Sequence, residues 1–436
     1  MLIHRAQELE HDQIIVSAAL AHRLGIGPDR LVLHFGAFRA TVNAAINSDI
    51  AGEVLLIPLS FAHIHAMPQT LQYDLRMDQD GLHMGPVIGI LTGKSAVRSS
   101  TRDKFKDYLC KYSKLKGLIF LFALEDVNSS AKSIPGYYYQ PDPEGSGQGT
   151  WKRGLFPYPE VIYRRTGANK HSKYEDLLLN TNRKIFNSCF LNKWDLWLRL
   201  LQNAQISPFL PETKPLGSAK DFLTMINKHR SVYLKPRRGS FGKGIVKVVK
   251  GDHAYIWHSR TGPVKRLGHV QLIRRLGAIQ RHAYLIQQPV NLVVHRRNVD
   301  FRVIMQKDKT MQWQCSGIIA RYGHAGKIYT NDVSSLKAGH KALKSIFRFS
   351  DQQADDKMKE IVAICETACG EIEKSYGLYA DLGFDFTIDR NLHVWLLEIN
   401  YRQMHSFSSL IVEDPGMYGR VISRPLEFAR ALAGYP

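Results

Sequence analysis

A run of sixteen residues, Asp385–Asn400, constrains the fold of this chain more than any other stretch. Apolar residues crowd both sides of the polar cluster at 389–391, and this pattern predicts two short strands joined by a turn. Antiparallel pairing of these strands would bring the side chains of Asp385, Glu398 and Asn400 within a few ångströms of one another. Three oxygen-bearing side chains suit a hard cation such as Mg²⁺, which binds one or two carboxylates together with substrate phosphates. A hairpin whose polar face meets solvent is the alternative interpretation.

The alternation of the second strand also predicts which side chains turn away from the metal ligands. Because successive strand residues point to opposite faces, Glu398 and Asn400 share one face. The other face is predicted to carry Trp395, Leu397 and Ile399, packed against an apolar layer.

A glycine-rich motif lies upstream, between two predicted strands in the run Val232–Val249. The segment after the glycines, Ile245–Val249, continues as a strand, whereas the glycine loops of Rossmann and P-loop sites enter a helix. The motif therefore predicts a hairpin whose tip folds over phosphates and offers backbone N–H groups to them. Lys235, on the strand before the loop, can reach a phosphate as a point charge. A solvated hairpin with a basic tip is the alternative.

Together, the metal-ligand motif, the glycine loop, Lys193 and Lys235 resemble the nucleotide site of ATP-grasp proteins. More specifically, the chain resembles the YheC/YheD family of ATP-grasp proteins, which is associated with the endospore coat in Bacillus-type bacteria. Further motifs that carry the resemblance are Gly85–Leu91, Val161–Arg165, Phe186–Asn187, Asn192–Trp194 and Asp300–Val303. The resemblance spans about residues 12 to 412 and is strongest beyond residue 185.

The resemblance implies ATP and Mg²⁺ as cofactors, with Mg²⁺ held by Asp385, Glu398 and Asn400. It implies nucleotide contacts from Lys193, Lys235, Gly239, Ser240, Phe241, Gly242, Gly244, Gln287, Gln288 and Val290. Gln287, Gln288 and Val290 stand where relatives commonly have the pattern Glu-x-x-Ile at the hinge. This departure affects the ribose contacts and the choice of nucleotide. Asn331 resembles the substrate-side asparagine of the family, although the Gly-Gly found downstream in relatives is here Ala338-Gly339.

Two arginines, Arg302 and Arg321, are the candidate catalytic residues. The run Asp300–Met305 alternates as a strand, which puts Asp300 and Arg302 on one face. There Arg302 can pair bidentately with a phosphate or carboxylate, and Asp300 can orient it. The resemblance places Arg321 near the transferred phosphoryl group. Structural salt bridges are the alternative role for the two arginines, and for Asp300 a structural salt bridge is the preferred interpretation.

The length of 436 residues and the hydrophobic content of 44% allow large cores and predict two or three domains. The motifs and the resemblance predict an α+β protein, with an ATP-grasp fold preceded by an α/β pre-grasp domain and a small β-rich N-terminal domain. The predicted bounds are 1–84 for the N-terminal domain, 85–190 for the pre-grasp domain and 191–436 for the ATP-grasp domain, whose two lobes flank the nucleotide. Within the pre-grasp domain, residues 101–115 are predicted as helix and 135–159, rich in Gly, Pro and Tyr, as a surface excursion.

The formal net charge of +20 predicts a positive field around an acidic partner. A nucleotide, an anionic polymer and a component of the spore surface all fit this field. A nucleic-acid binder is the disfavoured alternative, because the basic residues are spread along the chain without an aromatic RNA-binding motif, a zinc finger or a basic tail.

Cysteine usage and hydropathy bear on the compartment. The five cysteines form no CxxC pair, which indicates a reducing environment and no zinc site. The N-terminus lacks the apolar core of a signal peptide, and the longest apolar run, Leu118–Leu124, is far shorter than a membrane span. These features predict a cytoplasmic protein without a membrane span, and the resemblance adds association with the spore coat.

The predicted function is an ATP- and Mg²⁺-dependent ligation that joins an unknown carboxylate substrate to an amine or thiol through an acyl phosphate. This class of reaction follows from the resemblance, which also suggests a role in spore formation. The alternative is a non-catalytic protein of the spore coat that keeps the fold to bind a nucleotide or a partner.

Overall fold

The computed structural model describes residues 2–59, 67–98, 100–142, 149–167, 172–189, 192–237, 244–259, 262–280, 283–290, 292–327, 330, 333–402 and 405–436. The chain divides into two compact units. Unit 1 comprises Met1–Cys189, Lys307–Gln312 and Ile422–Pro436, and unit 2 comprises Phe190–Gln306 and Trp313–Val421. The predicted boundaries at residues 84 and 190 stay a prediction. Among the described helices, none is both long enough and apolar enough to cross a membrane.

Unit 1 begins with a seven-stranded mixed sheet, sheet 1, in the order β1-β5-β2-β4-β3-β7-β6. Its strands are β1 (Leu2–Ala6), β2 (Gln13–Ser17), β3 (Arg30–Phe35), β4 (Phe38–Asn47), β5 (Val54–Pro58), β6 (Asp74–Asp78) and β7 (Gly81–Gly85). Helix α1 (Ala18–Leu24) follows β2 and is capped by the Ser17 hydroxyl, which accepts a hydrogen bond from the Leu20 amide. The β-rich start of the chain therefore has the secondary structure that was predicted for it.

A second six-stranded sheet, sheet 2, follows in unit 1 in the order β11-β10-β9-β8-β12-β13. Its strands are β8 (Val87–Thr92), β9 (Leu118–Ala123), β10 (Ser133–Gln140), β11 (Thr150–Pro157), β12 (Val161–Arg164) and β13 (Ile185–Phe186). Strands β8 and β9 pair in parallel and every residue of both is buried, as the unbroken apolar runs predicted. Helices α2 (Lys94–Arg98), α3 (Tyr112–Leu115) and α4 (Ser172–Asn180) also belong to this part of the chain.

Two segments between residues 100 and 160 differ from the prediction. Residues 101–115 were predicted as one helix but form a 3₁₀ helix, Ser100–Leu109, followed by the short α3. The segment 135–159 was predicted as a surface excursion but contains β10 and β11, an antiparallel pair with eight residues in register. Glycine weakens local strand propensity. Whether residues 135–159 form strands depends on the segments with which they pair, and local sequence does not reveal those segments.

Unit 2 begins with helix α5 (Lys193–Leu201) and an antiparallel sheet, sheet 3, in the order β14-β19-β15-β16-β17-β18. The strands are β14 (Thr213–Pro215), β15 (Ser231–Pro236), β16 (Val246–Lys250), β17 (Tyr255–Ser259), β18 (Lys265–Leu267) and β19 (Tyr284–Gln287). Helices α6 (Ala219–His229) and α7 (His269–Gln280) cover this sheet and bury Phe222, Met225 and Leu272 against its apolar face. The predicted hairpin around the glycine loop is confirmed, because β15 and β16 pair antiparallel.

The last sheet, sheet 4, has the order β23-β22-β21-β24-β25, with β20 paired to β21. The strands are β20 (Leu292–Val294), β21 (Arg297–Lys307), β22 (Trp313–Gly323), β23 (Val333–Ala338), β24 (Asp381–Ile388) and β25 (Val394–Asn400). Helices α8 (Gly339–Phe347) and α9 (Asp351–Tyr376) follow β23, and α10 (Gly416–Leu432) ends the chain. The mixture of helices with antiparallel and mixed sheets makes this an α+β protein, as predicted.

Candidate functional site

The hairpin β24–β25 positions the predicted metal ligands. Phe384, Phe386 and Ile388 are fully buried on one face of β24, which fixes Asp385 on the other face. In the strand register Asp385 lies directly opposite Glu398, and the side-chain nitrogen of Asn400 lies 3.3 Å from Oδ2 of Asp385. The three predicted ligands therefore converge on one face of the hairpin.

The predicted faces of β25 were wrong for Trp395. The register shifts between Asp385 and Phe386, so that Leu396 lies opposite Phe386 and Leu397 is the extra residue of a β-bulge. Trp395 then lies opposite Thr387, on the face that carries Asp385 and Glu398. A bulge breaks the two-residue period from which the faces were predicted, and sequence alternation alone does not reveal it.

Two buried guanidinium groups hold Asp385. Arg302 lies opposite Asp385 in the pairing of β21 with β24 and donates to both of its carboxylate oxygens. Arg321 contributes a further contact at 3.1 Å. Burial alone would raise the pKa of Asp385, but the positive charges of Arg302 and Arg321 outweigh it and hold the pKa below its ordinary value. Asp385 is therefore an anion at neutral pH.

Arg321 is held by a second carboxylate, that of Asp300. Its Nε and Nη2 donate to the two oxygens of Asp300 at 2.6 and 2.8 Å, and the Thr330 hydroxyl also contacts Asp300. The structural salt bridge that the sequence analysis preferred for Asp300 is therefore present, with Arg321 as the partner. The other prediction, that Asp300 orients Arg302, was wrong, because the register of β21 and β24 brings Arg302 to Asp385.

The two predicted lysines approach the acidic hairpin from α5 and β15. Asn192 caps α5 by accepting a hydrogen bond from the Trp194 amide, so Lys193 is the first residue of the helix. Lys193 Nζ forms an ion pair with Glu398 Oε1 at 3.0 Å. Lys235 Nζ donates to Gln287 Oε1 at 2.5 Å, and burial of its ammonium group lowers the pKa of Lys235 to about 8.

The predicted hinge residues are held by β14 and the residue before it. Gln287 donates from Nε2 to the Thr213 hydroxyl at 3.0 Å. Gln288 accepts from the Glu212 amide through Oε1 at 2.8 Å and donates its own backbone N–H to the Glu212 carbonyl. Both glutamine side chains are thus fixed by hydrogen bonds, and Gln287 orients Lys235.

One cavity of unit 2 is lined by many of the predicted residues. Those on its wall are Lys235, Gln287, Gln288, Val290, Arg321, Asp385 and Glu398. A neighbouring cavity brings Lys193 to Lys235, Gln287 and Glu398. Within the described residues, no group of three or more His, Cys, Asp or Glu side chains could hold a metal. The two carboxylates and one amide of the hairpin are a hard-oxygen set that fits Mg²⁺, since that ion takes its remaining ligands from phosphates and water.

Comparison with known families shows to which family the chain belongs. The profile described as YheC/D like ATP-grasp matches residues 182–432, more than half of the chain. The chain belongs to the YheC/D-like ATP-grasp family. The predicted family and the predicted ATP-grasp fold are therefore confirmed, and the matched segment contains the hairpin, both lysines and both arginines.

Two curated relatives carry the family names. The chain is 26% identical to the endospore coat-associated protein YheD of Bacillus subtilis (strain 168), over 82% of this chain and 81% of that protein. It is 23% identical to YheC of the same organism, also named endospore coat-associated, over 69% of this chain and 86% of that protein. Among solved structures, the D-alanyl-alanine synthetase A of Vibrio cholerae aligns with a TM-score of 0.44 and 11% identity, covering 80% of this chain and 98% of that one.

In this YheC/D-like chain the predicted site residues fall into four groups, the last of which is Gly244 alone. The first group lines the two adjoining cavities and consists of Lys193, Lys235, the hinge residues, Arg321 and the predicted metal ligands Asp385 and Glu398. The third predicted ligand, Asn400, is not on either wall but contacts Asp385. Arg302 lies behind Asp385 and is not on the wall of either cavity. Gly239, Ser240, Phe241, Gly242 and Asn331 lie outside the described residues.

Gly244 is the described residue of the predicted glycine loop. Its backbone has φ +77°, a left-handed conformation that favours glycine, and its carbonyl accepts a hydrogen bond from the Tyr284 hydroxyl. A Cβ at this position would lie 2.8 Å from the Tyr284 oxygen. The end of the loop is therefore tied to β19, the strand that carries Gln287.

Sequence analysis missed the residues that orient the site. Glu212 and Thr213 hold the hinge glutamines, and Thr330 contacts Asp300. The first two lie 76 and 74 residues from their partners. No local pattern in a single sequence marks such a distant pairing.

Proposed function

We propose that this protein is an ATP- and Mg²⁺-dependent ligase, which joins a carboxylate to an amine or thiol through an acyl phosphate. The observation that carries the proposal is the convergence of Asp385, Glu398 and Asn400 on one face of a hairpin, beside Lys193 and Lys235, in a chain of the YheC/D-like ATP-grasp family. A nucleotide with a bound metal ion needs acidic oxygens for the metal and ammonium groups for the phosphates, and here both lie side by side.

The lysines bind the phosphates of ATP. The cavity at Lys235 has a volume of about 100 Å³, which is smaller than typical ligand pockets, so side chains must move when a nucleotide enters. The ion pair of Lys193 with Glu398 and the hydrogen bond of Lys235 with Gln287 are the contacts that open. Each lysine then exchanges its protein partner for a phosphate oxygen, and Glu398 becomes available as a ligand.

Asp385, Glu398 and Asn400 would hold the Mg²⁺. The ion, when bound, neutralises charge on the phosphates and so assists their transfer. Arg302 fixes the orientation of Asp385 through two hydrogen bonds and keeps it ionised, and we assign it a positioning role. Arg321 faces the cavity and offsets negative charge that develops on the transferred phosphoryl group.

The reaction proceeds in two steps. A carboxylate oxygen of the substrate attacks the γ-phosphorus of ATP, the bond to the bridging oxygen breaks, and ADP leaves. The amine or thiol then attacks the acyl carbon, inorganic phosphate leaves with the bonding electron pair, and the proton of the nucleophile passes to solvent. Positioning and charge stabilisation accelerate both steps, so the protein needs no covalent nucleophile of its own.

Phosphate release tests the proposal. The purified protein is incubated with ATP and Mg²⁺, with and without pools of amino acids and short peptides, and inorganic phosphate is measured. We expect at least one pool to raise phosphate release severalfold, and EDTA to abolish the increase. Tight ATP binding with no stimulation by any pool would contradict the ligase.

A second candidate function is a nucleotide-binding structural protein of the endospore coat. Two relatives are named endospore coat-associated, and the Lys193–Glu398 ion pair engages a proposed phosphate contact with a proposed metal ligand. This candidate predicts ATP binding without turnover in the same assay, together with incorporation of the protein into spore coats. The two candidates are therefore separated by one measurement of phosphate release.

A further inference from the structure

The basic residues are spread along the chain, but the acidic residues are nearly absent from one segment. Residues 222–299 contain 16 Lys and Arg residues and a single acidic residue, Asp252. The rest of the chain contains 43 Lys and Arg residues against 38 Asp and Glu residues, so this segment carries +15 of the net charge of +20. A surface that serves only solubility mixes charges of both signs. The depletion of acidic residues therefore indicates an anionic partner for this part of unit 2.

The segment forms most of sheet 3, and four of its cations lie at one edge of that sheet. The edge strand is β18, which carries Lys265 and Arg266. Lys265 lies opposite Trp257 of β17, and the guanidinium carbon of Arg275 on α7 lies 5.6 Å from the centre of the Trp257 ring. Arg274, the preceding residue of α7, is exposed. We call Lys265, Arg266, Arg274 and Arg275 the basic edge.

No acidic group neutralises the basic edge within the part of the chain that the structure describes. Its four side chains form no ion pair and no hydrogen bond with the described residues. Asp252 lies in the turn between β16 and β17. The acids of neighbouring segments are engaged elsewhere, since Asp221 accepts a hydrogen bond from the Ser218 hydroxyl and Glu212 pairs with Lys228. The positive charge of the basic edge is therefore left for a partner.

The basic edge lies apart from the proposed nucleotide site. Lys235 and Gln287 line the nucleotide cavities from β15 and β19, whereas no residue of the basic edge is on the wall of either cavity. In sheet 3, β16 and β17 separate β18 from β15, and at about 4.8 Å between neighbouring strands this distance is about 14 Å. The cations of the basic edge are therefore not contacts of the proposed ATP site.

The exposure of the basic edge bears on the kind of partner. Lys265, Arg266 and Arg274 are exposed, and an exposed ion pair with one small anion is weak. A chain of closely spaced anions touches several cations at once and also releases its condensed counterions. Three of the four cations are arginines, whose guanidinium groups donate bidentately to phosphate. Linked phosphates carry their charge in the backbone, so they lose less rotamer freedom on binding than the acidic side chains of a polypeptide.

We propose that the basic edge binds a linear polymer of phosphate groups. Bases take no part in this recognition, because no aromatic side chain is exposed among the described residues of 222–299 and none can therefore stack on a base. Two exposed apolar residues, Val264 and Val270, lie beside the basic edge. They offer little apolar area for insertion into a membrane, so a lipid surface is the less favoured partner. The proposal does not depend on the ligase.

Titration of the full-length protein with inorganic polyphosphate, at pH 7 without Mg²⁺ and over a series of salt concentrations, tests the proposal. We expect binding that weakens steeply with salt. The edge variant combines Lys265→Gln, Arg266→Gln and Arg274→Gln. It should bind at least about tenfold more weakly at low salt. The slope of log affinity against log salt should also fall by about 2, because about 0.7 of a counterion is released per phosphate contact of a single strand.

The matched control combines Arg30→Gln, Arg39→Gln and Lys104→Gln. These are three exposed cations of unit 1, and their loss changes the net charge by the same amount. The control should bind polyphosphate like the parent protein. The comparison therefore separates a contact at the basic edge from an effect of net charge alone.

The proposal is overturned if polyphosphate does not bind, or if the edge variant and the control lose affinity equally. Tighter binding of poly-glutamate, of a DNA duplex, or of vesicles of phosphatidylserine and phosphatidylcholine would also overturn it, because each identifies another class of partner. ATP with Mg²⁺ is titrated into the edge variant as a second readout. We expect nucleotide affinity like that of the parent protein, which distinguishes a failure of the basic edge from a failure of the proposed ligase.

Discussion

Asp385 is the most heavily engaged side chain of the candidate site. Its two oxygens accept hydrogen bonds from Arg302, Arg321 and Asn400, and it is 6% exposed. Removing it would leave the buried guanidinium group of Arg302 without its anion, whereas Arg321 keeps Asp300. Breaking a buried ion pair in this way typically costs about 3–5 kcal/mol of stability. Loss of activity in an Asp385 variant would therefore mix a chemical effect with unfolding. Glu398, which is partly exposed and has one ion-pair partner, separates the two.

The first prediction concerns Glu398→Gln. We expect ATP turnover to fall by about 100-fold or more, because a predicted metal ligand is lost and even the partners of metal ligands typically matter by 10–100-fold. Stability in urea should change by less than about 1 kcal/mol, since the ion pair with Lys193 is partly solvated. The control is Glu366→Gln, on the exposed side of α9, which should behave like the parent protein. Normal turnover in Glu398→Gln would contradict a role for Glu398 as a metal ligand.

The second prediction concerns pH. The pKa of Lys235 is lowered to about 8 by burial, so the free protein loses this positive charge as pH rises through 8. Bound phosphate favours the charged form, so ATP binding above pH 8 takes up a proton and weakens with rising pH. Affinity should fall about tenfold between pH 7 and pH 9. In Lys235→Met, affinity at pH 7 should be lower and this fall should vanish. An identical pH profile in both proteins would contradict the assignment.

At the scale of elements, the sequence predicted which segments form strands where apolar and polar residues alternate. It did not predict the register in which those strands pair. The hairpins around Asp385 and around the glycine loop follow from apolar alternation on either side of polar turns, and both exist. The bulge at Leu397 was not predictable, because the extra residue is defined only by the partner strand. It placed Trp395 on the face of the hairpin that carries Asp385. Likewise, only the register shows that Arg302 faces Asp385 while Asp300 holds Arg321.

The third prediction tests the end of the glycine loop. Gly244→Ala would force a side chain into a left-handed conformation at φ +77° and towards the Tyr284 oxygen. The left-handed conformation costs about 1–2 kcal/mol for a residue with a Cβ. Because this strain acts where the predicted phosphate loop joins β16, ATP affinity should fall together with stability.

The matched control for this change is Gly268→Ala. Gly268 has an ordinary φ and open space where a Cβ would lie. Gly268 is the N-cap of α7, because its carbonyl accepts the hydrogen bond of the Leu272 amide, so alanine there costs up to about 1 kcal/mol. In urea its variant should therefore lose no more stability than Gly244→Ala, while its ATP affinity in calorimetric titration stays at the level of the parent protein. Equal behaviour of the two variants would show that the conformation of Gly244 is irrelevant to nucleotide binding.

At the scale of the whole molecule, the family and the α+β class followed from motifs spread along the sequence, and the comparison with the YheC/D-like family confirms them. The divisions at residues 84 and 190 stay predictions. Side chains that meet across sheet 1 were not predictable, because Arg39, His34, His83 and Arg76 lie opposite one another on four strands whose order in the sheet is not that of the sequence.

The fourth prediction concerns the net charge of +20. A protein that used this charge to bind nucleic acid would lose about 10³–10⁵ in affinity between 50 and 200 mM salt. ATP affinity should fall no more than severalfold over the same range, because buried charges such as Asp385 and Arg321 are screened little by salt. Titration of ATP and of a DNA duplex at both salt concentrations compares the two behaviours. Salt dependence of ATP binding as steep as that of the duplex would favour a diffuse electrostatic contact over a built site.

The central claim is that one metal nucleotide is held by the β24–β25 hairpin together with Lys193 and Lys235. A crystal structure of the full-length protein with ADP and Mg²⁺ tests it most directly. The account predicts Mg²⁺ at about 2.1 Å from side-chain oxygens of Asp385, Glu398 and Asn400, with Lys193 released from Glu398 and both lysines on phosphate oxygens. A nucleotide bound elsewhere, or Mg²⁺ held by other side chains while Lys193 stays on Glu398, would contradict it.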